Sequence, residues 1–150
     1  MQIKKDEVKN ALLKSAQQEF LEKGFDRASI RNIVKNAGTT IGNFYNYFES
    51  KEMVFSELVE TSYNDLIGFI NGHEDTHMDE EQLNLMDSAT IRQEAGDILE
   101  GLVPKFDDSF LLLVHYAEGT KYANAKDEII DFIAEHFMEH IDMYSPDYKY

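Results

Sequence analysis

Apolar residues recur along this chain at helical spacing, in blocks broken by glycine, serine, threonine or proline. In the first block Val8, Leu12, Leu13, Ala16 and Phe20 line one side, which predicts a helix over about residues 5–23 that Gly24 ends. The second block is shorter. With Ile30 at zero and about 100° per residue, Ile33, Val34 and Ala37 fall within roughly 60° of it, the stripe of one buried face. Arg31, Asn32, Lys35 and Asn36 take the other side. Ser29 is placed to cap this helix by accepting a backbone N–H, and Gly38 stands where a helix end favours a left-handed residue. Thr39 and Thr40 follow, and Thr40 is a natural N-cap for a third helix. There Phe44 and Phe48 share a face at i, i+4, Gly42, Asn43 and Asn46 take the opposite face, and Tyr47 lies on the flank. Ser50 can cap the next helix, with Glu52 against its positive end.

That fourth helix is predicted over about residues 51–71, ending at Gly72, with Phe55, Leu58, Val59, Leu66, Phe69 and Ile70 as its stripe. Phe25 is expected to plug a small core with Ile30, Ile33, Val34, Phe44 and Phe48. Residues 73–87 are polar and acidic and read as a loop. Further helices are predicted over about 88–102, stopping before Pro104, over about 107–119, and over about 124–144, before a loose tail. On the last of these Ile129, Ile130, Phe132, Ile133, Phe137, Ile141, Met143 and Tyr144 spread over roughly 200°, wider than a helix covering only its own domain needs.

Charge changes the picture. The net charge is −15, which by itself argues against a nucleic-acid partner, but it is divided unevenly. Residues 1–51 carry nine Lys/Arg against six Asp/Glu, or +3; residues 52–150 carry five against 23, or −18. A polyanion is attracted by the first part and repelled by the second. With no cysteine, disulfides and thiolate metal sites are excluded. The longest apolar run, Phe110 to Val114, is far too short to span a bilayer, and no secretory signal is read at the start, so no membrane partner is expected.

Two short helices joined by a four-residue turn are the layout of a helix-turn-helix DNA reader. The residues Ser29-Ile30, Ile33, Ala37-Gly38, Thr40, Gly42, Tyr45, Phe48 and Lys51-Glu52 resemble the DNA-binding motif of the TetR/AcrR repressors, and Lys23-Gly24-Phe25 is similar to that family's end of helix 1. The resemblance covers about residues 8–60. This chain departs from the family in having Tyr47 where histidine is frequent, and Ile41 where a basic or polar residue is frequent. The resemblance implies an all-α fold. An N-terminal three-helix helix-turn-helix DNA-binding domain (residues 1–49) is joined through a long helix 4 to a short helical regulatory and dimerisation domain (residues 50–150). Members usually carry another helix or two, so the chain is expected to be a compact variant or to lack its last helices.

The implied function is a sequence-specific DNA-binding regulator, not an enzyme: a ligand-responsive repressor binding a palindromic double-stranded operator as a homodimer in the cytoplasm. The expected DNA contacts are Arg27, Ser29, Arg31, Lys35, Thr39, Thr40, Ile41, Gly42, Asn43, Tyr45, Asn46, Tyr47 and Lys51. Thr40 suits a phosphate, Asn43 and Asn46 suit base edges, and Lys51 suits the DNA backbone. Ile41 lies at the edge of the buried face, yet in the first turn, within reach of a thymine methyl. The dimer interface is expected at Ile130, Ile133, Phe137, Ile141 and Tyr144, and candidates for contact with an unknown small-molecule effector are Tyr63, His115 and Tyr116.

No cofactor or metal is expected. His73-Glu74-Asp75-Thr76-His77 matches the HExxH string of zinc peptidases, but an acidic loop-like run follows and no third ligand lies at a recognisable spacing. His136 and His140, also i, i+4, read as half-buried residues of the apolar arc. The alternatives are a DNA-bound adaptor with the same head that is not a transcription factor, and a metal-binding protein using His73 and His77.

Overall fold

The computed structural model describes residues 2–74 and 106–139. It contains α1 (Gln2–Arg27), α2 (Ile30–Asn36), α3 (Ile41–Phe44), α4 (Lys51–Glu74), α5 (Asp108–His115) and α6 (Ala125–Glu139). The described residues form no strand. The helix predicted over about 88–102 and the tail lie outside the described residues.

The stripe of α1 buries Leu12, Ala16 and Phe20 against Ile33 and Val34 of α2, Phe44 of α3, Phe48, and Val54, Phe55 and Val59 of α4. Phe20, Phe25 and Phe55 meet as a triple with centroid distances of 5.2–5.8 Å, two of the three contacts edge-on. The same buried cluster continues into Leu112 and Leu113 of α5, then Ala117, Tyr122 and Ala125. α5 packs on both α1 and α4, so the small three-helix head does not rest on its own few apolar residues.

Helix ends follow local chemistry, with four differences from expectation. Gly24 adopts φ 74°, ψ 164° and breaks the helical path of α1, which closes in a turn with Ala28 N bonded to Gly24 O at 3.1 Å. α2 ends as predicted at Gly38, φ 68°, where Thr39 N bonds Val34 O (2.9 Å) and Gly38 N bonds Lys35 O (3.2 Å), a Schellman closure. Ser29, however, makes no side-chain cap. Its backbone N–H is instead accepted by the Glu19 carboxylate at 3.2 Å, which places a full charge at the start of α2.

The other differences are of length. α3 is helical only over Ile41–Phe44, and residues 45–47 form a turn. Phe48 N still bonds Phe44 O at 3.0 Å, so the two rings stay together, 5.7 Å apart and buried. α4 runs through Gly72 to Glu74. α5 stops at His115, short of the predicted 119, where Thr120 Oγ1 and Thr120 N both turn back to Ala117 O at 2.7 and 3.0 Å.

Candidate nucleic-acid interface

Thr40 Oγ1 accepts the backbone N–H of Asn43 at 3.2 Å and so starts α3. With Phe44 and Phe48 held in the core, the opposite side of this segment turns outward: Ile41, Gly42, Tyr45 and Asn46 are exposed. Asn43 is half-buried, and its Nδ2 donates to Thr39 Oγ1 at 2.8 Å. Asn46 Nδ2 donates to Asn43 Oδ1 at 3.4 Å. These bonds line up Thr39, Asn43 and Asn46 and leave Asn43 one amide proton and one lone pair for a further partner. A Cβ placed on Gly42 would meet nothing within 4 Å, so packing does not require a glycine there. Ser50 Oγ accepts from Met53 N at 3.1 Å and starts α4 as expected.

A hollow of about 540 Å³ opens between the starts of α2, α3 and α4. Ala28, Ser29, Ile30, Arg31, Ile41, Tyr45 and Lys51 line it. Arg31 and Lys35 are exposed, and Arg27 is exposed with its Nε on Lys23 O at 3.2 Å. Tyr47 is half-buried, packing on the core beside Phe48.

Lys51, expected to reach the DNA backbone, is engaged with the protein's own carbonyls. Its Nζ donates to three carbonyls, Phe25 O at 2.5 Å, Ala28 O at 3.1 Å and Asp26 O at 3.3 Å. It also stands 4.4 Å from the centroid of the Phe25 ring. Burial pulls its pKa below the ordinary lysine value, partly countered by the nearby Asp26 charge. Its three protons are thereby directed at the end of α1.

Glu19 had no place among the expected site residues, yet it anchors this surface from beneath. The side chain is 3% exposed. Its Oε1 accepts from Lys23 Nζ (2.8 Å), Asn32 Nδ2 (3.0 Å) and Ser29 N (3.2 Å). Burial alone would raise its pKa, but these bonds and the Lys23 charge outweigh it and hold the carboxyl below its ordinary 4.5. Ser15, one turn earlier, donates its buried hydroxyl to Ile33 O at 2.8 Å. Ser15 and Glu19 sit i, i+4 beside Leu12, Ala16 and Phe20, so the same periodicity marks them as polar residues on a buried edge.

Of the effector candidates, His115 and Tyr116 meet edge-on at 6.3 Å, and Tyr63 and Tyr116 pack against the core cluster. Tyr63 contacts the Tyr122 ring edge-on at 5.2 Å and its hydroxyl lies 3.4 Å from Glu128 Oε2. Tyr116 packs at 3.7 Å from where a Gly24 Cβ would stand, and its carbonyl accepts Phe25 N at 3.3 Å. His115 is exposed. Of the expected dimer residues, Ile130 is half exposed, and the side chains of Ile133, Phe137, Ile141 and Tyr144 lie outside the described residues. His73 and Glu74 stand at the end of α4, and His77 lies outside the described residues. Among the described residues no three metal-ligating side chains converge, and no helix is long and apolar enough to cross a membrane.

Residues 12–58 match the model of the bacterial regulatory proteins, tetR family. The HTH-type transcriptional regulator YdgC of Bacillus subtilis (strain 168) is 48% identical over 59 residues, 39% of this chain and 30% of that protein. YvdT of the same organism, also an HTH-type transcriptional regulator, is 38% identical over 76 residues, 51% of this chain and 38% of that protein. The HTH-type transcriptional repressor DhaR of Mycobacterium sp. (strain GP1) is 34% identical over 59 residues, 39% of this chain and 30% of that protein. The matched part thus spans between 30% and 38% of these curated relatives. No solved structure matches. The family model falls on the helical head, and residues 12–58 are similar to the N-terminal domain of the tetR family of bacterial regulatory proteins.

Proposed function

We propose that this chain is a sequence-specific DNA-binding transcriptional regulator, acting as a ligand-responsive repressor that binds a palindromic operator as a homodimer. The observation that carries this reading is the outward face of residues 41–47, seated on the buried Phe44–Phe48 pair and started by the Thr40 cap. In this reading that segment enters a major groove, and Arg27, Arg31 and Lys35 supply phosphate contacts around it. The names of YdgC and DhaR support regulation and, for DhaR, repression. Two heads read half-sites about one helical turn apart, roughly 34 Å. The acidic body, −18 over residues 52–150, limits which face approaches the duplex.

Residues 1–49 form the reading domain in this proposal and residues 50–150 the helical body, which pairs with a second copy through the α6 face carrying Ile130. A small molecule binding the body releases DNA only if it favours one of two arrangements of the heads, and α4, common to both parts, is the natural lever. The protein acts in the cytoplasm, where bacterial DNA lies. The test is binding to a duplex spanning the protein's own promoter region over a range of salt. Nanomolar affinity that falls steeply with salt, at two subunits per site, is the expected result; salt-insensitive or absent binding sinks the proposal.

A further inference from the structure

Ile41 and Tyr45 stand i, i+4 on the outer side of α3 and the turn after it, 40% and 54% exposed. Single apolar residues on a surface need no explanation. These two form a pair on one wall of the hollow, with Ala28 and Ile30 also lining it, and Arg31 and Lys51 are among its cations. Phe44 and Phe48 fill the inner side of the same segment, and the Tyr45 ring leans edge-on against Phe44 at 5.4 Å, which fixes its position while more than half of it stays exposed. The resulting surface is an apolar ridge beside positive charge, on the face assigned above to the major groove. B-DNA offers one apolar group there, the C5 methyl of thymine, and 5-methylcytosine presents the same group.

We propose that Ile41, backed by Tyr45, reads a C5 methyl group in each half-site and so sets sequence preference at that base. The proposal rests on the DNA-binding reading and deepens it. The Cβ-free Gly42 next to Ile41 fits this role, because a side chain there would project into the open space the duplex enters. The Ile41 side chain has no hydrogen-bonding group, so its contribution is burial of the methyl.

The test starts from duplexes that the full chain enriches out of a random-sequence pool. Each thymine in the enriched half-site is then replaced by deoxyuridine, which removes the methyl and leaves base pairing intact. One position is expected to lose about three- to fivefold in affinity with the wild-type protein, the size of one buried methyl, and to lose nothing with Ile41→Ala. At that position a cytosine and a 5-methylcytosine duplex form a second arm. A wild-type gain from 5-methylcytosine that Ile41→Ala lacks assigns the methyl on either base, while a deoxyuridine effect alone assigns thymine. Enrichment with no deoxyuridine effect, or an equal effect in both proteins, overturns the methyl proposal and leaves DNA binding standing. No enrichment overturns both. Ile41 is outside the core, so the variant folds, as its melting curve will confirm.

Discussion

At the α1–α2 corner the charged side chains turn inward onto backbone: Glu19 takes the Ser29 N–H, and Lys51 gathers the carbonyls of Phe25, Asp26 and Ala28. Along α3, a few residues away, Thr39, Asn43 and Asn46 bond to one another, while Ile41, Tyr45 and Asn46 remain exposed. The corner builds the platform and the α3 segment is the surface it presents. A positive side chain near a DNA-facing surface is therefore not by itself a phosphate contact. What decides is whether its donors are already directed at the protein.

The sharpest break of this contrast is Lys51→Met. Loss of three charge-assisted bonds is expected to cost about 2–3 kcal/mol in urea denaturation, with little change in the salt slope of DNA binding by the folded fraction. A slope reduced by about one with unchanged stability would return Lys51 to the DNA side. Glu19→Gln is expected next, costing about 1–2 kcal/mol at neutral pH, and it carries a pH signature. The folded carboxyl has a lower pKa than the 4.5 of the free group, so its contribution is present above 4.5 and is lost as pH falls through the folded value. Wild-type stability should fall across that acid window more than that of the variant, and parallel curves would contradict the buried-carboxylate account.

Two smaller effects probe the presenting surface. Arg31→Ala should leave stability within about 0.5 kcal/mol while lowering the salt slope by about one, read by anisotropy titration at several salt concentrations. Gly42→Ala should be neutral or stabilising by up to about 1 kcal/mol on helix propensity, yet weaken DNA binding. Destabilisation by Gly42→Ala would mean that the glycine serves the fold.

How far the sequence could be read depends on which part is considered. The i, i+4 aromatic pair at 44 and 48, the Thr40 and Ser50 caps and the glycine end at 38 are short-range features, and each stands where periodicity and capping chemistry put it. Ser29 and Lys51 have partners that their local pattern does not show, for a common reason. Both choices depend on a partner distant in sequence, Glu19 ten residues away and the carbonyls of residues 25–28. α3 is shorter than its pattern predicts because Phe48 keeps its helical bond to Phe44 after the intervening residues have left the helix.

By itself the sequence determined the helical blocks, their ends and the outward polar-and-tyrosine face, because periodicity, caps and glycines act within a few residues. Tertiary structure alone decided which charges are available. Burial of Glu19 and the convergence of three carbonyls on Lys51 arise only when α1, α2 and α4 pack together, and desolvation then turns two ordinary surface ions into parts of the framework.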